Sequence, residues 1–196
     1  KTKGSRNHIF AELDFDFSQD QSYESKLFFK TQKTSNDTYF KIHDINTVLV
    51  DAEKTDLENK ISYNFSKDNM YLDISATVYE NLRKPTSNDR YEYILPNILY
   101  GKTFFTENFG SLDFKSNATY KNYETNKYTT FLTNDIIWSP GRNITKNGFV
   151  NTLEGVIKNT NYEAKNTTDY KTDGTVNELS GVLSFKSSLP MQKKGI

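Results

Sequence analysis

Segments in which apolar and polar side chains alternate recur along the chain, each about ten residues long and each followed by turn-forming residues. In the segment 9–17, the odd-numbered side chains are apolar and most of the even-numbered ones are acidic. The segment 70–79 repeats the pattern. Strict alternation with a period of two is typical of a strand with one apolar and one polar face. The pattern therefore predicts an all-β protein.

The alternation and the turn signals together predict about nine long strands in an antiparallel up-and-down meander. Hairpin turns rich in Ser, Asp, Asn and Gly separate most of them. The pattern assigns the two faces clearly for most strands, but is blurred in the seventh and eighth. The predicted strands are 6–17, 21–34, 54–66, 70–82, 90–103, 110–122, 127–138, 147–161 and 177–188.

The lengths of the connections add a second signal. The gaps 18–20, 67–69 and 104–109 are short, whereas 35–53 and 162–176 are long and are the second and eighth connections. In a meander, all even-numbered connections lie at one end. Short turns at one rim and long loops at the other are typical of outer-membrane β-barrels. The pattern thus favours part of a large transmembrane barrel.

Aromatic residues near the predicted strand ends fit the same interpretation, because membrane barrels carry an aromatic girdle at each interface. The alternative is that Tyr and Phe simply favour strands. The girdle predicted at the short-turn rim comprises Phe15, Phe17, Phe65, Phe104, Phe105 and Trp138, and the opposite one comprises Tyr79, Tyr91, Tyr93, Tyr120 and Tyr128.

Composition narrows the class further. Only 35% of the 196 residues are hydrophobic, and the mean hydropathy is −0.76. This is too little apolar material for a conventional core packed between two layers of protein. A barrel tolerates this composition because its lumen face is polar and lipid covers the other face. The net charge of zero gives no basic excess for nucleic acid. The chain has no cysteine, and no apolar run is long enough for a transmembrane helix.

Several short motifs, taken in their order, resemble a known family. They are Thr38-Tyr39-Phe40 to Asp44, Tyr71-Leu72-Asp73, Tyr91 to Pro96 (Tyr-Glu-Tyr-Ile-Leu-Pro), Gly148 to Leu153, and Leu183 to Pro190. In this order they are similar to strands of the LPS-assembly proteins of the LptD family, and the likeness extends over nearly the whole chain. The chain departs from the family around His43-Asp44, and at Tyr91 and Tyr93, which flank the family's usual tyrosine position.

The resemblance implies a role in delivering lipopolysaccharide to the outer leaflet of the bacterial outer membrane, with no bond broken. It also implies three kinds of partner: lipopolysaccharide itself, an LptE-type plug lipoprotein in the lumen, and periplasmic bridge proteins that act through a domain outside this chain. The family barrel has about 26 strands, within the range known for such folds. Residues 1–196 are therefore expected to form a partial barrel domain, incomplete at both ends. Lys1 to Ser5, without a leading Met, fits an excerpt from a longer precursor.

Enzymatic chemistry is not predicted. His8 and His43 lie on separate predicted elements with no ligand-spaced acidic cluster nearby, and no phosphate loop or nucleophile elbow occurs. Neither a metal nor a cofactor is expected. The alternation instead assigns the charged side chains of the polar faces to the barrel lumen. The lumen-facing candidates are Glu12, Asp14, Asp16, Asp73, Asp113 and Lys115.

Two alternatives remain open on the sequence alone. One is a different outer-membrane barrel, such as a porin or a TonB-type transporter. The other is a soluble all-β binding module of the adhesin kind. Flanking sequence would distinguish them, since a jellyroll, a plug domain or repeated immunoglobulin-like units would each favour a different class.

Overall fold

The computed structural model describes residues 7–19, 22–51, 53–84, 88–124, 126–170 and 174–191. Position 6, where the first strand is predicted to begin, lies outside these residues, as does the segment 1–5.

One antiparallel sheet contains all the described strands. Nine of them neighbour each other in chain order, and the short β8 pairs only with β9. The all-β antiparallel meander predicted from the alternation is therefore confirmed. The strands are β1 (His8–Asp16), β2 (Glu24–Thr34), β3 (Asp56–Lys67), β4 (Met70–Asn81), β5 (Tyr91–Thr106), β6 (Gly110–Tyr123), β7 (Lys127–Ser139), β8 (Arg142–Ile144), β9 (Val150–Lys165) and β10 (Gly174–Ser188).

The main differences from the prediction lie in three connections. β9 continues to Lys165 and β10 begins at Gly174, so the eighth connection is 166–173 rather than 162–176. The added pairs include Glu163 opposite Thr175 and Ala164 opposite Gly174, and their backbones pair where no apolar alternation marks a strand. Within the predicted turn 139–146, β8 pairs with β9. The loop between β2 and β3 contains a short helix, α1 (Tyr39–His43).

A bulge interrupts β5 in the middle of the sheet. Ile94 and Asn97 pair with Thr77 and Ser75 on β4, so Leu95 and Pro96 together face one β4 residue. The ladder to β6 shifts at the same place. Proline has no N–H for a regular ladder in a central strand, and a bulge leaves the extra residue unpaired.

The pairing register sorts the side chains onto two faces, because directly opposite residues of an antiparallel ladder lie on the same face. We call the face that includes Leu13, Phe29, Ile61 and Ile74 the apolar face. The opposite face, which includes Glu12 and Lys30, is the polar face.

The connections lie at two ends of the sheet. The loop rim carries 35–55, 82–90, 124–126 and 166–173, and the turn rim carries the other connections. A small buried core lies at the loop rim, where Phe40 and Val50 of the 35–55 loop pack with Leu57 and Leu82. This loop therefore folds onto the sheet instead of projecting away from it.

Candidate functional site

All six predicted lumen candidates lie on the polar face. Asp16 is opposite Lys26, Lys26 is opposite Asn64, and Asn64 is opposite Asp73. The register continues to β6, where alternation places Asp113 and Lys115 on the same side. The six residues nevertheless stand on three separate strands, β1, β4 and β6, and do not form one cluster.

Two ion pairs and one hydrogen bond form a chain across four strands of this face. Lys30 Nζ lies 2.9 Å from a Glu12 carboxylate oxygen and 3.3 Å from one of Glu58. The Tyr79 hydroxyl donates to the other Glu58 oxygen at 3.2 Å. One cation between two carboxylates holds β1, β2 and β3 in register while leaving the face hydrophilic.

The other candidates make local hydrogen bonds. Asn64 Nδ2 donates to Asp73 at 2.7 Å, and the Thr103 hydroxyl donates to Asp113 at 2.5 Å. Lys115 lies opposite Asp135 in the ladder. The arrangement offers a broad surface of hydrogen-bonding groups.

An ion-pair cluster fastens the 35–55 loop to the next loop along the rim. Arg90 is buried, and its Nη2 lies 2.6 Å from Asp37 and 2.6 Å from Glu80. The hydrogen bond from Arg90 holds the pKa of the Asp37 carboxyl below its usual range. The same bond raises the pKa of Arg90, so this guanidinium stays charged at every accessible pH.

Both histidines of the chain contact the side chain of Tyr39, His8 from β1 and His43 from α1. His8 Nδ1 lies 2.7 Å from the Tyr39 hydroxyl, and the Tyr39 and His43 rings are 4.6 Å apart. Within the described residues no group of three or more His, Cys, Asp and Glu side chains could hold a metal ion. The cluster joins α1 to β1. Sequence reasoning could not find it because α1 carries no amphipathic pattern.

The aromatic residues divide between the faces differently from the prediction. Phe104 and Phe105 are adjacent in β5, so alternation turns them to opposite faces, and Phe105 lies with Ser111 on the polar face. Tyr79 also lies on the polar face, opposite Glu58. The assignment of Phe105 and Tyr79 to an interfacial girdle was therefore wrong. The predicted girdle residues on the apolar side of the strands are Phe15, Phe65, Phe104, Trp138, Tyr91, Tyr93, Tyr120 and Tyr128.

The apolar positions of the apolar face form a band that drifts from strand to strand. Leu13, in the middle of the band on β1, is in register with Phe29, Ile61 and Ala76. Its counterpart on β10, Leu183, is in register with a different row: Gly155, Trp138, Leu112 and Phe104.

The two rows are well separated on β4. The first row crosses β4 at Ala76. The second row passes through Phe104, which lies beyond Lys102, the partner of Met70, so this row meets the line of β4 just before Met70. The band therefore moves by about eight residues over eight strand-to-strand steps. At about 3.3 Å per residue and 4.8 Å per step, the strands are inclined by about 35° to the direction perpendicular to the band.

Comparison with known proteins gave no relative: neither protein-family models nor curated proteins match the chain. Among the described residues, no helix combines the length and apolar character needed to cross a membrane. The fold and the two faces therefore carry the functional argument.

Proposed function

We propose that this chain is a wall segment of a bacterial outer-membrane β-barrel that transports lipopolysaccharide and assembles it into the outer leaflet. In this proposal lipid covers the apolar face and the polar face lines the lumen. The observation that carries the membrane part is the tilted apolar band.

The tilt of the band supports a membrane setting. Strands of transmembrane barrels are inclined by about 35 to 45° to the barrel axis, and a flat lipid layer covers each strand at the same height. In the pairing register, such a layer appears as a band that drifts steadily from strand to strand. A drift of about 35° matches that expectation. A core between two packed sheets would need no steady drift of this kind.

Exposure of the apolar face also supports lipid contact. Leu13 is 49% exposed, Ile74 is 39% exposed and Ile157 is 51% exposed, while Leu72 and Phe114 are half-buried between their neighbours. Apolar patches of this extent on a protein surface mark contact with a membrane or another protein. The charged, paired opposite face has the hydrophilic character of a barrel lumen.

The open sheet supports a large barrel. Within the described residues β1 pairs only with β2, and β10 only with β9. Unpaired edges inside a hydrocarbon layer leave backbone groups unsatisfied, so further strands are required to close the wall. The lipopolysaccharide assignment rests on the resemblance to the LptD family, as do the plug lipoprotein and the periplasmic bridge as partners.

Topology labelling tests the membrane proposal. In the full-length protein in intact cells, a single introduced cysteine at Thr47, on the loop rim, is expected to react with a membrane-impermeant reagent. One at Asp68, on the turn rim, is expected to be protected until the outer membrane is opened. Equal labelling of both positions from outside would show that β3 does not cross a membrane, as in a soluble adhesin-like module.

Photo-crosslinking tests the transport proposal separately. Asp73 and Ile74 are neighbours on opposite faces of β4, so they form a matched pair. A crosslinker at position 73 is expected to capture lipopolysaccharide only while transport is energised, whereas position 74 captures bulk membrane lipid under both conditions. Correct labelling without transport-dependent capture at position 73 would point to another barrel class, such as a porin or a TonB-type transporter.

A further inference from the structure

A row of polar side chains interrupts the apolar band on its β6, β7 and β9 strands. Ser116 is directly opposite Asn134, and Asn134 is directly opposite Asn159. All three therefore lie on the apolar face. We call these three residues the amide row.

The amide row is one hydrogen-bonded chain. The Ser116 hydroxyl donates to Asn134 Oδ1 at 2.8 Å, and Asn134 Nδ2 donates to Asn159 Oδ1 at 3.4 Å. Asn159 Nδ2 in turn donates to the Glu178 carbonyl at 3.3 Å. A side-chain amide has two N–H donors and an acceptor with two lone pairs. Asn159 Oδ1 also accepts from Asn161 Nδ2 at 2.5 Å. In the described hydrogen bonds Asn134 and Asn159 each use one N–H, so each retains a donor.

On β6 and β7 the row lies within the band, and on β9 Asn159 lies between Ile157 and the polar Asn161 of the same face. Ser116 has Phe114 and Ala118 on either side along the same face of β6, and Asn134 has Leu132 and Ile136 on β7. Polar groups of lipids lie outside the hydrocarbon layer and do not reach this depth. Polar side chains directed towards the hydrocarbon are costly, and in membrane proteins such residues bind partner segments.

A second copy of the chain fits this surface best. An amide donates and accepts, so a row of amides is complementary to itself across a two-fold axis. The apolar neighbours Leu132, Ile136 and Ile157 are equally self-complementary. We propose that the amide row is the centre of a membrane-embedded interface between two copies of the protein. This inference rests on the proposed function only in placing the apolar face in the membrane.

Photo-crosslinking of the full-length protein in its native membrane tests the interface. Two copies with different affinity tags are co-expressed, each carrying benzoylphenylalanine at Ile136 in the first experiment and at Ile74 in the control. Ile74 lies on the same face, away from the amide row. A covalent adduct containing both tags is expected from position 136 and not from position 74.

Side-chain variants give a second readout. Asn134→Ala combined with Asn159→Ala removes the amides and is expected to lower the two-tag adduct by about tenfold, the effect of one to two membrane hydrogen bonds. The matched control is Asn117→Ala, which removes the adjacent amide on the polar face and should leave the adduct unchanged. Barrel folding is checked in each variant by the heat-dependent gel shift.

The outcomes separate this inference from the proposed function. Lipid adducts alone at position 136, or an adduct with a different protein, would overturn the second-copy interface even where rim labelling succeeds. A two-tag adduct that is insensitive to the double variant would also contradict it. Failure of the rim labelling with an intact, variant-sensitive adduct would instead keep the pairing of two copies through the amide row, but would remove its membrane setting together with the barrel-topology assignment.

Discussion

The side chain of Asn59 takes the place of a strand partner for Gln32. Its Oδ1 accepts from the Gln32 backbone N–H at 2.9 Å, and its Nδ2 donates to the Gln32 carbonyl at 3.2 Å. Regular pairing of β2 with β3 ends at Lys30 and Lys60, so these two bonds bridge the point where the strands separate. In the opposite direction, the side-chain oxygen Oε1 of Gln32 accepts a hydrogen bond from the Glu58 backbone N–H at 3.0 Å.

Asn59→Ala is expected to destabilise this end of the sheet. It leaves two buried backbone groups of Gln32 without partners, each of which costs about 1 to 3 kcal/mol. Asn59→Asp keeps the acceptor for the Gln32 amide but sets a carboxylate oxygen against the Gln32 carbonyl, so this amide should stay protected while the end of the sheet is still destabilised. Hydrogen exchange at the Gln32 amide checks both variants, and unchanged protection in Asn59→Ala would show that the strands pair without this side chain.

The ion pair of Asp37 with Arg90 predicts an acid-sensitive loop. The folded-state pKa of Asp37 is lowered, so its contribution to stability is complete above its unfolded pKa of about 3.9. That contribution is lost as the pH falls through the lowered folded value. The Asp44 amide donates to the Phe40 carbonyl at 2.8 Å, and its protection factor, which corrects for the intrinsic exchange rate, should therefore fall as the pH falls below about 4. Asp37→Asn should abolish this pH dependence while exchange at the β4 amides stays unchanged.

Adjacent positions on β4 test which face meets lipid. Ile74→Arg is expected to destabilise the full-length barrel in membranes by about 2 to 4 kcal/mol, the cost of a cation near the midplane. Asp73→Arg, one residue away on the polar face, should cost far less, because solvent reaches that side. Unfolding titrations in lipid measure both, and equal costs would favour a core packed on both faces.

Gly101 and Tyr71 form a glycine–aromatic pair on the polar face. They are directly opposite each other, and a Cβ at Gly101 would meet the Tyr71 ring. Gly101→Ala should therefore displace the ring and cost about 1 to 3 kcal/mol, as other overpacked positions do. In a Tyr71→Ala background the same substitution should have little effect. An additive double-mutant cycle would show that the two residues do not interact.

The strands were predictable because one local rule, the alternation, determines them. Leu13, Leu72 and Phe114 occupy the face that their period of two indicates. The bulge at Pro96 was not predicted, although a proline in a central strand is a signal for a bulge.

The loop rim was not predictable in the same way. Phe40 and Val50 reach the buried core from a loop with no repeating pattern. Asn59 stands at an apolar-face position and is explained only by its contact with Gln32, which is distant in sequence. Contacts of this kind depend on the packing of the whole loop, and no local signal in the chain encodes them.

The bulge at Leu95 and Pro96 has a consequence for how this sheet tolerates change. On either side of it, β4 and β6 keep the same offset from each other: Ile74 shares a row with Ala118 through Ile98, and Thr77 shares one with Lys121 through Ile94. The extra residue is absorbed entirely within β5. A one-residue insertion or deletion there would leave every other strand in its original alignment. Elsewhere in β4 to β7 the same change would turn all the following side chains of its strand to the opposite face.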